Sequence, residues 1–246
     1  MITIFNFETA HEHGDVLPQM LKFRHDEFVL RQGYEVPTFN GMEYDQYDTP
    51  AAVYVIWQDG ESKVRAGMRI LPTNRPYMIK EIWPQTVREG DLPESPLVWE
   101  ATRFFVDRKM EPDMRQRAHG KILCAMLEFA LRYGISDFIA TAPPRLWHYT
   151  FRRCGWPAAP AGEITEIGFT EKIQTCVMPV SEDVLTDVRR IMGIDGAVIP
   201  GASMQRENIF VDMRALQSWV CCRRREETGS VGAKGKALLG FGDNGA

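Results

Sequence analysis

Apolar positions recur along this chain with two different periods, and the switches between them outline its elements. From residue 16 to 31, Leu17, Leu21, Arg24 and Phe28 fall at spacings of four, three and four, the stripe of an amphipathic helix. That spacing puts Arg24 on the apolar face. Residues 51–58 (AAVYVIWQ) read as a strand, Asp59-Gly60-Glu61-Ser62 as a turn, and 63–71 as an antiparallel partner. In that partner Val64, Ala66, Met68 and Ile70 share one face, and Arg65, Gly67 and Arg69 share the other. A turn-rich stretch, 72–96, leads into 97–107 (LVWEATRFFVD), a central strand. Strict alternation there places Glu100, Thr102 and Phe104 on one face and Trp99, Ala101 and Arg103 on the opposite one. Further on, Ala118, Ile122, Met126, Phe129 and Tyr133 mark a second helix over 115–133, stopped by Gly134. A strand at 136–141, a helix opened by Pro143-Pro144 and ended near Gly155, a strand at 173–179 and a helix at 181–192 complete an alternating α+β order.

Composition narrows what such a chain can be. With 246 residues, 44% hydrophobic and 25% charged, it has ordinary globular usage and enough length for one sizeable core. The pattern predicts a single domain over 1–222. From Arg223 the residues turn to Gly, Lys and Glu, and 223–246 is expected to be a disordered tail. No apolar run is long enough to span a bilayer, and the start of the sequence lacks a basic segment followed by a long apolar one, so a cytoplasmic protein is expected. Five cysteines without CxxC spacing argue against a disulfide framework or a thiolate zinc site. His11 and His13 alone make no metal site, and none is expected. A net charge of −4 argues against nucleic acid as a partner.

The anomaly is charge where the pattern would bury it. Arg24 lies on an apolar stripe, and Glu100, Thr102 and Arg103 lie within a hydrophobic strand. An unpaired buried charge costs several kcal/mol, on the order of the effective penalty for single ions in proteins, so these groups need partners or a wet cleft. The loop Gly41-Met42-Glu43-Tyr44-Asp45-Gln46-Tyr47-Asp48 offers three carboxylates. With Glu100 they would give four acids facing Arg24, Arg69 and Arg103, a network suited to a zwitterionic ligand. Taken singly, each feature is an ordinary solvated turn or strand edge; their joint spacing is what points to a site.

The same residues carry a family resemblance. Arg24 and Phe28 in FRHDEF, Glu43, Asp45 and Asp48 in MEYDQYD, Arg69 in GMRILPT, and Glu100 and Arg103 in WEATRFFVD follow in the order and at the intervals of the acyl-homoserine-lactone synthases. Over about residues 1–180 the chain resembles these autoinducer synthases. Tyr34 stands where the family usually has tryptophan, Trp83 where it has phenylalanine, and Thr102 where serine is common. The resemblance implies an α/β fold akin to the N-acetyltransferases, a three-layer α-β-α sandwich around a mixed, splayed sheet. It implies quorum-sensing signal production: an acyl group passes from acyl carrier protein or acyl-CoA to the amine of S-adenosylmethionine, and the lactone then closes. S-adenosylmethionine is a co-substrate, and no prosthetic group is implied. Arg24, Phe28, Tyr34, Glu43, Asp45, Asp48 and Arg103 would hold it. Glu100 would act as base, with Thr102, Arg103 and Arg69 beside it. Ile122, Met126, Phe129, Trp147 and Phe151 would line an acyl tunnel, and Thr141 matches a position linked to acceptance of a 3-oxo acyl chain. A basic surface of Arg115, Arg117, Lys121, Arg152 and Arg153, with Arg108 and Lys109, would dock the acidic carrier protein.

Two other classes compete. An ordinary CoA-dependent N-acetyltransferase needs a glycine-rich turn at a helix N-terminus; Arg117-Ala118-His119-Gly120-Lys121-Ile122 stands at that place but lacks the second small residue. A non-catalytic sensor would give no reason for Glu100 and Thr102 to face a charged cleft.

Overall fold

The computed structural model describes residues 1–167 and 171–200. The expected domain end at 222, the tail from 223 and Cys221-Cys222 lie outside them. Strand β1 (Ile2–Phe5) leads through a 3₁₀ turn to α1 (Val16–Arg24), which runs on as a π-helical turn, His25–Arg31. The buried positions are Val16, Met20, Arg24 and Phe28. Leu17 and Leu21 are only partly covered, so the stripe lies one residue from the phase the leucines suggested, while Arg24 stays on it. A two-residue hairpin, β2 (Thr38–Phe39) and β3 (Met42–Glu43), precedes the long hairpin of β4 (Val53–Gln58) and β5 (Val64–Pro72). Next come α2 (Met78–Ile82), a 3₁₀ turn Pro84–Thr86 and β6 (Val98–Val106). Then follow α3 (Pro112–Tyr133) and β7 (Asp137–Ala142). A short α4 (Pro144–Leu146) continues as a π turn Trp147–Phe151 and a 3₁₀ turn Arg152–Cys154. Strands β8 (Ala159–Pro160), β9 (Thr165–Ile167) and β10 (Glu171–Pro179) and helix α5 (Glu182–Met192) complete the described order.

Apart from the β2–β3 hairpin, the described strands form one mixed sheet in the order β1-β4-β5-β6-β7-β10-β8, with β9 beside β10. β6 and β7 are its parallel pair, and the other ladders are antiparallel. β4, rich in β-branched and aromatic residues, is buried along its whole length because helices cover both faces. Helices α1 and α2 pack on one face in the core cluster around Phe5, Tyr54 and Ile79. Helix α3 covers the other face and is buried nearly all round from Ala118 to Ala130, because α5 closes over its outer side. Gly120 is the contact point: a Cβ there would lie 2.9 Å from Met192 Cβ. Residues 117–122, which a competing acetyltransferase would need as a phosphate-binding turn, lie inside the helix expected over 115–133, and their glycine seats α5. Glu128 fastens the same layer, accepting Arg189 at 2.7 Å and the amides of Val198 and Ile199 at 2.9 and 3.0 Å.

Two departures from regularity in β6 shape everything near the site. Gly67 pairs with Phe105 and Arg69 with Thr102, so one residue of β5 opposes Arg103 and Phe104 together, a β-bulge. Arg103 takes a left-handed conformation with φ 55°, which costs about 1–3 kcal/mol for a residue with a side chain. Beyond the bulge the alternation inverts. Glu100 meets α2 through the amides of Met78 and Ile79, and Trp99 meets Phe129 of α3. After it, Phe104 packs on His119 of α3, and Phe105 stacks on Phe23 of α1 at 4.7 Å. The reading that put Phe104 with Glu100 and Thr102, and Arg103 opposite Thr102, is corrected by this extra residue. The second departure is a parting of strands: the β6–β7 ladder pairs Val98 with Asp137, Trp99 with Phe138 and Glu100 with Ile139, and stops.

Candidate active site

The acidic loop after β3 folds over the open end of the α1, β5 and β6 layer, and its carboxylates meet the three arginines that pattern reading had singled out. Arg24 donates Nε to Glu43 at 2.5 Å and grips Asp48 with both Nη atoms at 2.8 Å. Arg69 holds Asp45 at 2.5 and 3.1 Å, approaches Asp48 at 2.9 Å, and donates Nε to Thr102 Oγ1 at 3.0 Å. Arg103 bridges Glu43 at 3.0 Å and Asp45 at 2.6 Å. Tyr54, directly across the hairpin from Arg69, donates its hydroxyl to Asp48 at 2.8 Å. Three positive charges thus face three negative ones, with geometry and hydrogen bonds good enough to offset desolvation.

The environment moves the titrations accordingly. Burial would lower the Arg24 pKa, but the hydrogen bonds and charges of Asp48 and Glu43 raise it. Burial pulls the Asp48 carboxyl upward, yet Arg24 and Arg69 together hold it well below the usual carboxylate range. Burial, with the Asp48 charge and hydrogen bond, pushes the Tyr54 hydroxyl far up, so it stays a donor.

Glu100 stands outside this network, which has three acids and not four. Its side chain is fully buried, and its two oxygens accept the amides of Met78 at 3.1 Å and Ile79 at 2.7 Å, at the start of α2. Burial pushes its carboxyl up to about 7, against the two amides and the Arg69 charge, which pull it down.

The three arginines are not equivalent. Every guanidinium nitrogen of Arg24 and of Arg69 is bound to oxygen, and their side chains are 1% and 0% exposed. Arg103 is the most accessible at 9%, and among the described residues its Nη1 meets only Met78 Sδ at 3.7 Å. Its guanidinium lies over the Phe28 ring at 5.6 Å, and Phe28 stacks on Tyr34 at 6.0 Å.

Tyr34 opens onto a cleft of about 1030 Å³. It lies where β6 parts from β7, walled by Phe104, Phe105, Val106 and His119 and by the Pro143–Cys154 segment, and rimmed by Arg31, Arg108, Arg115, Arg145 and Arg153. Of the residues expected to form one basic surface, Arg108, Arg115 and Arg153 reach this rim. Arg152 instead turns its guanidinium to the Ala158 carbonyl at 2.7 Å, and Lys121 sits close enough to the Met1 amine to lower its pKa, behind burial. The tunnel set falls elsewhere too. Ile122, Met126, Phe129, Trp147 and Phe151 are buried in contact with one another's layers, and none of them lines the cleft. Thr141 is half-buried at the end of β7.

Comparison with known proteins matches residues 8–188 to the model of the autoinducer synthases. The chain belongs to the autoinducer synthase family. It is an acyltransferase of the acyl-homoserine-lactone synthase class. It is 31% identical over 191 residues, 76% of this chain and 84% of the relative, to the isovaleryl-homoserine lactone synthase of Bradyrhizobium diazoefficiens. It is 32% identical over 212 residues, 80% of this chain and all of the relative, to an acyl-homoserine-lactone synthase of Ralstonia nicotianae. Among solved structures, the CoA-dependent acyl-homoserine lactone synthase BjaI, bound to SAM and isopentyl-CoA, superimposes with a TM-score of 0.72 at 27% identity, covering 80% of this chain and 90% of that one. The CoA-dependent synthase MesI gives 0.71 at 26% identity, covering 82% and 100%. The sheet parted between β6 and β7, with helices on both faces, is the N-acetyltransferase-like architecture the resemblance implied.

Sequence reasoning missed Tyr54, Met78 and His119. Tyr54 had no signal: counted back from the 59–62 turn it would face Gly67, and only the register shift between Trp57 and Gln58 sets it opposite Arg69. His119 had none, because its place depends on the π turn whose Thr150 carbonyl accepts its Nε2–H at 2.9 Å.

Proposed function

We propose that this synthase binds S-adenosylmethionine along the path from Arg103 to Tyr34 and takes an acyl group from a pantetheine thioester in the adjoining cleft. The observation that carries this reading is Nη1 of Arg103, which meets Met78 Sδ and is, among the described residues, the one nitrogen of the network's arginines without an oxygen partner, set over an aromatic pair that leads into the cleft. A substrate carboxylate fits that donor, and a sulfonium fits the ring faces by cation–π attraction. Arg24 and Arg69 hold Glu43, Asp45 and Asp48 in place and leave the ligand contact to Arg103.

The substrate ammonium, with a pKa of about 8 as a free amine, first gives a proton to a base. Glu100, held near 7 on the same strand face as Thr102, is the candidate. The amine lone pair then attacks the thioester carbon, the C–S bond breaks, and the leaving thiolate takes the second amine proton as the amide forms. The methionyl carboxylate attacks its own γ-carbon, the C–S⁺ bond breaks, and methylthioadenosine departs neutral as the lactone closes. For this second step the enzyme chiefly supplies orientation. No covalent enzyme intermediate is needed, which suits the described cysteines: Cys124, Cys154 and Cys176 are buried, and burial raises each thiol pKa.

Five arginines at the cleft rim, against Glu27 and Glu171, favour a donor that brings phosphate, as acyl-CoA and the phosphopantetheine arm of acyl carrier protein both do. Incubating purified protein with S-adenosylmethionine and acyl thioesters of each carrier should yield acyl-homoserine lactone and methylthioadenosine by mass spectrometry. Turnover of acetyl-CoA on a simple amine, with no lactone from any donor, would replace this reading with that of an ordinary N-acetyltransferase.

A further inference from the structure

Helix α2 turns two backbone amides to Glu100, and a tyrosine hydroxyl holds it at each end. The amide of Glu81 donates to the Tyr77 carbonyl at 3.2 Å, closing the turn whose start carries Met78 and Ile79. At the first end the Tyr77 hydroxyl donates to the Pro93 carbonyl at 2.8 Å, which ties the helix to the stretch before β6. At the other, Tyr47 donates its hydroxyl to Glu81 Oε2 at 2.8 Å, which ties it to the acidic loop.

Tyr47 stands in that loop between Asp45 and Asp48, and its amide donates to Asp45 Oδ1 at 2.9 Å. Its ring is buried, with the Arg69 guanidinium 5.8 Å from its centre. Burial first, then the hydrogen bond and charge of Glu81, raise its hydroxyl pKa, so the hydroxyl stays a donor. The lattice of arginines and carboxylates is thus joined to α2 by a single phenol, and through α2 to Glu100.

Glu100 depends on that helix. Among the described residues its only hydrogen-bond donors are the amides of Met78 and Ile79. A carboxyl buried without such donors is pushed to about 8–9 in documented cases, whereas the amides and the Arg69 charge hold this one to about 7. The other groups that face it are Asp45 from the loop, whose charge raises its pKa, and the neutral hydroxyls of Tyr47 and Tyr77. Leu71 of β5 and Ile139 of β7, its register partners, are apolar. Removing the Tyr47 hydroxyl changes no charge among these groups. It changes only what keeps the amides in place.

We propose that Tyr47 and Glu81 are positioning residues for Glu100: their hydrogen bond holds the turn of α2 so that both amides stay on the carboxylate that takes the proton of the substrate amine. The inference rests on the reading of Glu100 as the base. It adds that the loop which orders the arginines also sets the pH at which that base works.

The test follows acyl-homoserine lactone formation across pH, from S-adenosylmethionine and hexanoyl thioesters of CoA and of acyl carrier protein. Tyr47→Phe keeps the ring beside Arg69, and its acid limb should move up by roughly half to one pH unit, about the worth of one net hydrogen bond. On the limb kcat should then fall roughly three- to tenfold and recover on the alkaline plateau. Glu81→Ala should match it, and the double variant should shift no further. Glu81→Gln, which loses the charge but still accepts the hydroxyl, should stay near the wild type. Should Tyr47→Phe fail to fold, Glu81→Ala reads the same bond from an exposed residue. A limb that keeps its wild-type midpoint in Tyr47→Phe and Glu81→Ala, or a rate lowered evenly at every pH, while Glu100→Gln abolishes the limb, overturns this proposal and leaves Glu100 as the base. A limb that survives in Glu100→Gln overturns both.

Discussion

The network around Arg24 and the cleft beside Phe104 are both rich in arginine, and they lie a few residues apart along β6. In the first, each guanidinium is met by carboxylates of the same chain, and the side chains of Arg24, Glu43 and Arg69 are at most 1% exposed. In the second, Arg108, Arg115, Arg145 and Arg153 stand round open space. A buried ionic lattice can be preorganised because its charges are neutralised internally; an open basic rim leaves its charges to be neutralised by what arrives. Damage to the first should therefore register as lost stability, and damage to the second as a weakened donor.

The sharpest way to break this contrast is Arg24→Ala. It strands Glu43 and Asp48 in the interior and should cost about 3–5 kcal/mol in denaturant unfolding, the range for removing one partner of a buried pair. A loss of activity at unchanged stability would show that the lattice is not structural. Next in size is Glu100→Gln. Glu100 is the proposed general base, so its loss should lower kcat by roughly 10²–10⁴-fold, and the wild-type rate should rise with pH through about 7, a limb the variant should lack. The same titration enters stability with opposite signs in the two acids. The Asp48 carboxyl, depressed by folding, contributes stability that is present above 3.8 and lost as the pH falls toward its folded value. Glu100, raised from 4.5 to about 7, makes stability decline as the pH rises between those values.

Arg103→Lys keeps the charge but loses the planar fork. A charge-assisted hydrogen bond is worth roughly 1.5–3 kcal/mol, so kcat/KM for S-adenosylmethionine should fall about ten- to a hundredfold, with a smaller change in melting temperature than Arg24→Ala gives. Charge reversal at Arg115 and Arg153 should raise the donor KM by roughly tenfold and flatten its salt dependence, with stability nearly untouched. The smallest effect belongs to Arg117→Glu with Lys121→Glu. These lie away from the rim, and the donor KM should not move; if it did, docking would extend across α3 and the boundary between the two regions would need redrawing.

The order of helices and strands was legible because apolar periods of two and of about four survive in the sequence, and Gly134 and Gly155 end their helices where the pattern stops. The membership of the lattice was legible too, since Arg24, Arg69 and Arg103 are costly to bury without Glu43, Asp45 and Asp48. The place of Glu100 was not. Its partners are backbone amides of Met78 and Ile79, and an amide has no letter in the sequence. The face of Phe104 was also hidden, because alternation predicts a strand without a bulge and no letter marks the left-handed φ of Arg103. The five rim arginines come from four separate stretches of chain, and only the parting of β6 from β7 gathers them.

That bulge has a consequence for how this chain can vary through descent. Deleting one codon at position 103 would give β6 a seamless ladder with β5, and by local criteria a better strand. It would keep Phe104 on the α3 face and Phe105 on the α1 face, but leave Glu43 and Asp45 short of the Arg103 cation. A lineage can exchange side chains on either half of β6 freely by comparison, but it cannot change the number of residues there. The length of the strand, as much as its lettering, is what is inherited.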